Sequence, residues 1–348
     1  MKKIWALAGL AIGLSLAASA PAMAAEGCAA AGKVSYLCGP SNAEDLALVP
    51  GTDWMISSGM AQGGAGHLYL IDTRKKTWKV LEPEMAGPAQ APYADCPGPL
   101  QAGKMAPHGL ALRPGAGGRH TLYAVNHGGR ESVEVLQVEA KGGADPVVRW
   151  VGCVVMPEGA DPNSVAPTPE GGFIVSKFDQ AGDPQAFPKM VADQNTGALY
   201  EWKPGAGIGM IPGTEFPGDN GVEVSADGKW LFVNIWPRSQ VLRFQRGSSA
   251  PPVSVKVDFL PDNMHWAPDG KLLVAGQAAP FKSLFECKGR CPHAWSVVRL
   301  DPATMQVTPV LHEEGSEAFS DATGAIQVGN EIWVGTYRGD RLAHAPAH

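Results

Sequence analysis

Apolar residues along this chain come in short runs, and the runs come in pairs that repeat one phrase. A polar residue opens each copy, a short apolar stretch follows, a turn intervenes, and a second apolar stretch closes it. Glu44 leads Asp45-Leu46-Ala47-Leu48-Val49, which turns at Pro50-Gly51 into Trp54-Met55-Ile56. His108 leads the second copy, which turns at Pro114-Gly115 into Leu122-Tyr123-Ala124-Val125. Asn163, Asn220 and Asn263 open the next three, with turns at Pro169-Glu170-Gly171-Gly172, Ala226-Asp227-Gly228 and Pro268-Asp269-Gly270. The sixth starts at Thr323 and turns at Gly329-Asn330 into Ile332-Trp333-Val334.

Runs this short, bounded by turn formers, predict strands. Each copy continues with one or two further strand-like runs, such as 66–72 and 241–244. Four short antiparallel strands per copy describe a propeller blade. A blade leaves apolar faces that only neighbouring blades can cover, so the copies must stack around an axis. The expected fold is therefore all-β, a six-bladed β-propeller of four-stranded antiparallel blades. The alternative, a large β-sandwich, gives no reason for one phrase to recur six times. The last copy is one strand short, and residues 33–37 are expected to supply it and close the ring.

Composition narrows the function. Hydrophobic residues make up 45% and charged ones 18%, which excludes disorder and coiled coil. The 43 glycines and 30 prolines favour turns over long helices. A net charge of -6 offers no phosphate-neutralising surface, so nucleic acid is not an expected partner. Lys2 and Lys3, the apolar run 4–18 and Ala22-Met23-Ala24 read as a signal peptide over 1–24, with the propeller domain over 25–348. The run is shorter than the ~20 residues that span a bilayer, and no lipobox precedes Cys28. The expected location is periplasmic or secreted, with no membrane anchor after cleavage.

An oxidising compartment turns the six cysteines into candidate disulfides. Cys28–Cys38 and Cys287–Cys291 would close local loops. Cys96 and Cys153, expected in successive loops between blades, would pair with each other. A zinc site at Cys287, Cys291 and His293 is the rival reading, but no second cysteine pair has ligand spacing.

In a meander the start of each innermost strand lies at one end of the axis, together with the end of the second strand. Glu44, His108, Asn163, Asn220 and Asn263 should ring the axis there, with Thr323 sixth. Asp262 adds a second carboxylate. The oxygens of Glu44, Asn163, Asn220, Asp262 and Asn263, arriving from separate blades, suit calcium, which takes about six to eight hard oxygen ligands. His108 begins one strand and His127 ends its antiparallel neighbour, so the two imidazoles should meet beside this ring. One would take a proton from water while the other orients it or passes the proton on. His265, close to Asn263, is a further pocket candidate.

Asn42-Ala43-Glu44-Asp45-Leu46 followed by Ile56-Ser57-Ser58-Gly59, then Pro107-His108-Gly109 with Val125-Asn126-His127, and Asn163, Asn220-Gly221 and Asp262-Asn263, together resemble the paraoxonases. These are calcium-dependent lactonases and arylesterases within the six-bladed gluconolactonase and senescence-marker-protein (SMP-30-like) superfamily. The similarity runs from about residue 36 to residue 342. It implies one catalytic calcium held by Glu44, Asn163, Asn220, Asp262 and Asn263, with His108 as base and His127 behind it. It also implies a second, structural calcium at Asp45, shared with an Asp where this chain has Ser164; that departure counts against the second ion. Related gluconolactonases use a carboxylate at their metal, which makes Asp262 the alternative base.

The expected function is an exported calcium-dependent hydrolase of lactones or aryl esters, a monomer acting on a small molecule. The alternatives are a calcium-dependent lyase or isomerase on an oxygenated substrate, and a non-catalytic binding propeller. Two long excursions, from near Lys177 to near Ala198 with Phe187, Met190 and Val191, and from Gln277 to Trp295 with Phe281 and Phe285, are expected to form a lid on the metal face.

Overall fold

Each of the six sequence phrases forms the two inner strands of a four-stranded antiparallel sheet. The computed structural model describes residues 28–61, 66–287 and 291–347; the expected signal segment lies outside them. The innermost strands are Ala43–Leu48, Pro107–Arg113, Ala160–Pro167, Asp219–Val224, Leu260–Trp266 and Ala322–Val328. Each packs against the next, and the sixth returns to the first. This closed ring of six blades is the expected β-propeller.

The inner strands read as continuous apolar runs because both faces of each blade are covered. Leu272–Gln277, for example, is buried at every position. Every interface between neighbouring blades has its own core. Ile56, Leu68 and Leu70 of the first blade meet Leu110, Leu122 and Leu136 of the second. Tyr123 and Val125 of the second meet Phe173 and Val175 of the third. The sixth blade closes on the first through Trp333, Leu342, Leu46 and Met55.

The N-terminal strand Ser35–Cys38 completes the sixth blade, pairing antiparallel to its third strand with Ser35 opposite His344 and Cys38 opposite Arg341. Ring closure thus joins the two ends of the described chain, as anticipated for residues 33–37.

The three disulfides are Cys28–Cys38, Cys96–Cys153 and Cys287–Cys291. One expectation about them needs correction. Cys153 lies not in a loop but in Val147–Val155, the outermost strand of the second blade. A register irregularity opposite Val135 and Leu136 interrupts this pairing, and Cys153 still points inward, 2% exposed. The bridge therefore clamps the loop that leads into this blade onto the blade's own edge. The zinc reading of Cys287 and Cys291 falls with their bond. His293 instead places Nδ1 2.7 Å from Asp321 Oδ1.

Two excursions leave the ring. One follows Phe173–Gln180 and contains helix α1, Ala186–Val191; the other follows Leu272–Gln277 and contains helix α2, Phe281–Glu286. Their helices meet, with the Phe187 and Phe285 rings 4.4 Å apart.

Candidate active site

Every innermost strand breaks register near its start, where two residues oppose one on the second strand. The doublets are Glu44-Asp45, His108-Gly109, Asn163-Ser164, Asn220-Gly221, Asp262-Asn263 and Thr323-Gly324. A bulge of this kind re-aims a side chain without ending the strand. It turns the first residue of each doublet toward the axis. In register, then, Asp262 and not Asn263 is the counterpart of Glu44, Asn163 and Asn220, a one-residue correction to the ring read from sequence.

The second doublet position is filled by how closely the next blade approaches. A Cβ on Gly109 would lie 2.3 Å from the Asn163 carbonyl oxygen, and one on Gly221 2.4 Å from that of Asp262. Only glycine fits there. At Asp45 and Ser164 the second residue carries a polar side chain that bonds to the next blade. Asp45 Oδ2 accepts from Leu110 N at 2.7 Å, and Ser164 Oγ from Val222 N at 3.3 Å.

Five oxygen-bearing side chains gather at the ring, all buried: Glu44, Asn163, Asn220, Asp262 and Asn263. Four of them bury an oxygen with no hydrogen-bond partner: Glu44 Oε2, Asn163 Oδ1, Asn220 Oδ1 and Asn263 Oδ1. Burying such an atom unpaired costs on the order of 1–3 kcal/mol, a cost that a bound cation would relieve. The remaining bonds hold these groups in place. Asn263 Nδ2 donates to Glu44 Oε1 at 2.6 Å, and Gln277 Nε2 donates to Asp262 Oδ2 at 2.8 Å. Trp236 Nε1 in turn holds Gln277 Oε1 at 2.8 Å. Burial, with Asp45 and Asp262 beside it, raises the Glu44 pKa well above the carboxylate range; burial pushes Asp262 up to about 7. Clustered acids strained in this way, with neutral amides between them, fit a hard divalent cation. Thr323 is spoken for, since its hydroxyl donates to the Glu44 carbonyl at 2.6 Å.

The second calcium suggested by the resemblance meets a different donor set. Asp45 Oδ1 already takes Leu46 N at 2.8 Å and His265 Nε2 at 2.6 Å, while Oδ2 takes Leu110 N. Three of its four acceptor sites are engaged, and Ser164 brings no carboxylate. His265, expected as a pocket residue, is instead committed to Asp45, and its Nδ1 is 3.8 Å from Glu223 Oε1. These residues do not fit a second ion.

His108 and His127 do meet, with His108 Nδ1 2.9 Å from His127 Nε2. His108 Nε2 faces Glu44 Oε1 at 3.6 Å. The chain extends beyond what the sequence suggested: His127 Nδ1 is 2.6 Å from Glu131 Oε2 and 3.2 Å from Asp161 Oδ1. Burial and the adjacent His127 lower His108 to about 3. Burial also pulls His127 down, but Glu131, Asp161 and Asp179 outweigh it and the net shift is upward. Asp179, raised to about 7 by burial and by Asp161, completes an acidic wall. The groups missed by sequence reading are thus Glu131, Asp161, Asp179, Gln277 and Trp236. The one available signal was a polar residue ending an apolar run, as Gln277 does after Leu272-Leu273-Val274-Ala275-Gly276.

A cavity of about 600 Å³ opens over the ring. Glu44, Asn163, Asn220, Asp262 and Thr323 line its floor with the two histidines, while Asn263 lies outside its lining. Glu131, Asp161 and Asp179 form one wall; Phe178, Phe187, Trp236 and Phe285 form another. Both excursions therefore contribute to the cavity, as expected of a lid. Within the first, Phe187 lines it, Met190 is buried and Val191 is 62% exposed.

Fold and site together define a six-bladed propeller with a polar, oxygen-rich ring at one mouth of its axis. Solved structures of this architecture include a putative gluconolactonase, 13% identical with a TM-score of 0.55, covering 91% of this chain and 92% of that one. A gluconolactonase from Xanthomonas campestris is 15% identical, with a TM-score of 0.53 and coverage of 90% and 89%. Regucalcin from Agrobacterium tumefaciens, described as a calcium-binding protein, is 10% identical, with a TM-score of 0.54 and coverage of 88% and 91%. At these identities the likeness establishes the fold. No protein-family model and no curated protein matches the sequence.

Proposed function

We propose that the protein is an exported calcium-dependent hydrolase of lactones or aryl esters. The observation that carries this reading is the set of buried, unpartnered oxygens of Glu44, Asn163, Asn220 and Asn263, with the His108–His127 pair opening onto the same cavity. Glu44, Asn163, Asn220, Asp262 and Asn263 would hold the ion. Calcium, when bound there, supplies positive charge to polarise an ester carbonyl and to stabilise the negative charge that develops on its oxygen.

The chain's own residues do the rest. Phe178, Phe187, Trp236 and Phe285 take up the apolar part of the substrate. His108 accepts a proton at Nε2 as a water oxygen bonds to the carbonyl carbon. The carbon–oxygen bond of the leaving group then breaks, and the departing oxygen takes up a proton from the histidine pair, which resets it. The gluconolactonase neighbours support the lactone half of the reading, and the aromatic wall supports the aryl half. Three disulfides support a site of action outside the cytoplasm. Among the described residues no helix is long and apolar enough to cross a membrane.

Purified protein assayed against lactones, aryl esters and phosphotriesters tests this directly. Turnover that disappears on chelation and returns with calcium is the expected result. No turnover of any substrate in calcium-loaded, folded protein would leave a binding propeller instead.

A further inference from the structure

We propose that Glu131 is a positioning residue that sets the direction of the proton chain through His127 and His108; the assignment builds on His108 as the base. An ionised carboxylate only accepts hydrogen bonds. Glu131 Oε2, 2.6 Å from His127 Nδ1, therefore fixes the proton of the neutral ring on Nδ1. His127 Nε2 is then a lone pair, and His108 Nδ1, 2.9 Å away, must be the donor. That leaves the lone pair of His108 on Nε2, the nitrogen that faces the ring. Glu131, the nearer of the two carboxylates at His127 Nδ1, thus orders four nitrogens, with Asp161 Oδ1 standing farther off at 3.2 Å. With the opposite direction, a lone pair on His127 Nδ1 would face two carboxylates, and His108 would present N–H where a base is needed.

The loop that carries Glu131 is built to hold it. Asn126 is fully buried. Its Oδ1 accepts from Ala106 N at 2.9 Å, and its Nδ2 donates to the carbonyls of Gly128 and Arg130 at 3.0 and 2.9 Å. Arg130 makes a two-pronged contact with buried Glu134, and Met156 N donates to the Glu131 carbonyl at 3.0 Å. Gly128 passes so close to the Lys104 carbonyl that no Cβ fits. When His108 Nε2 takes a proton from water, its Nδ1 proton passes to His127 Nε2. The positive charge then rests on His127, between Glu131 and Asp161 at 3.2 Å. No atom is gained or lost in this transfer.

The test is imidazole ¹⁵N NMR on histidine-labelled protein, at a pH where both rings are neutral, with signals assigned by His108→Gln and His127→Gln. Native protein should show both rings protonated on Nδ1. Glu131→Leu should shift both toward the Nε2-protonated form and lower kcat roughly 10²-fold with KM little changed. Glu131→Asp should restore the native pattern and most of kcat. A native spectrum with His127 protonated on Nε2, or a Glu131→Leu spectrum like the native one, overturns the proposal. If the tautomers shift as expected in a protein that hydrolyses none of the substrates, the proton direction stands and only the hydrolytic reading fails.

Discussion

Nε2 of His265 lies 2.6 Å from Oδ1 of Asp45, although 220 residues separate them in the chain. The pair spans the axis one residue beyond the ring, where the paraoxonase resemblance implied a second calcium. Burial lowers the His265 pKa, yet Asp45 and Glu223 outweigh it and leave it raised. When protonated, His265 sits between the carboxyl groups of Asp45 and Glu223 and does there what a structural cation would do. Calorimetry should therefore find one calcium per chain. His265→Ala should cost about 3 kcal/mol, the scale for stranding one partner of a buried ion pair. Urea unfolding with a loss under ~1 kcal/mol would show that the pair fastens nothing.

Calcium itself should stabilise the fold through the ring. At a hundred times its dissociation constant a ligand adds about 2.7 kcal/mol. The midpoint of thermal unfolding should rise accordingly in native protein and fall back on chelation. Asn220→Ala and Asp262→Ala each remove a ring oxygen that no neighbour replaces, so both should lose most of this calcium-dependent rise and the activity with it. Equal calcium affinity in native protein and both variants would mean that the ring is no metal site.

His108→Gln separates the base from the ion. Turnover should drop about 10²–10⁴-fold, the usual worth of a general base, while the calcium-dependent rise in melting temperature persists. Near-normal turnover would move the base to Asp262, whose pKa burial has already pushed up to about 7.

The pH dependence has a definite sign. Glu131, Asp161, Asp179 and His108 face His127, and the first three together hold its pKa above the ordinary 6.5. Protonated His127 carries N–H on both nitrogens, so it donates to His108 Nδ1 and forces the His108 proton onto Nε2. Turnover should therefore rise with pH through an apparent pKa above 6.5 that belongs to the pair. The stability contributed by this histidine runs the other way: it is full below the unfolded value of about 6.5 and is lost as pH rises through the folded one. In Glu131→Gln the acid limb of the rate profile should move to lower pH. An unmoved limb would remove His127 from the proton chain.

The sequence carried the ring well because its signal is local and repeated six times. A polar residue at the head of an apolar run marks each innermost strand, and antiparallel geometry alone brings His108 to His127. The bulge doublets were harder to read. Nothing in Asp262-Asn263 states which residue takes the axial position; that follows from pairing Pro261 with Gly276 and Met264 with Val274. Glu131 and Asp161 were illegible for another reason. An acidic residue in a loop or at a strand start is ordinary, and only its distance from an imidazole gives it a role. Cys153 misled because Val147–Val155 is an edge strand whose alternate residues, among them Val147 and Val155, are exposed. Such a segment resembles a loop when read for burial.

Phe187 and Phe285 both line the cavity, and their rings meet 4.4 Å apart with Phe187 40% and Phe285 37% exposed. Phe285 also packs edge-on against Trp236, centroids 6.2 Å apart, and Trp236 positions Gln277 behind Asp262. The aromatic wall thus connects the lid to the ring. Phe187 lies at its outer end, remote from the bonds that hold the ring, so its loss should act on the substrate alone. Phe187→Ala should raise KM for bulky aryl esters about tenfold, the scale of one lost apolar contact surface, and leave small lactones nearly unaffected. Replacing 180–196 with a short Gly/Ser turn should widen that difference while calcium binding and the propeller remain. Steady-state kinetics on one small lactone and one bulky aryl ester, paired with calcium calorimetry, decide the matter. Equal effects on both substrates, or none on either, would show that α1 and α2 are surface insertions without a part in selection.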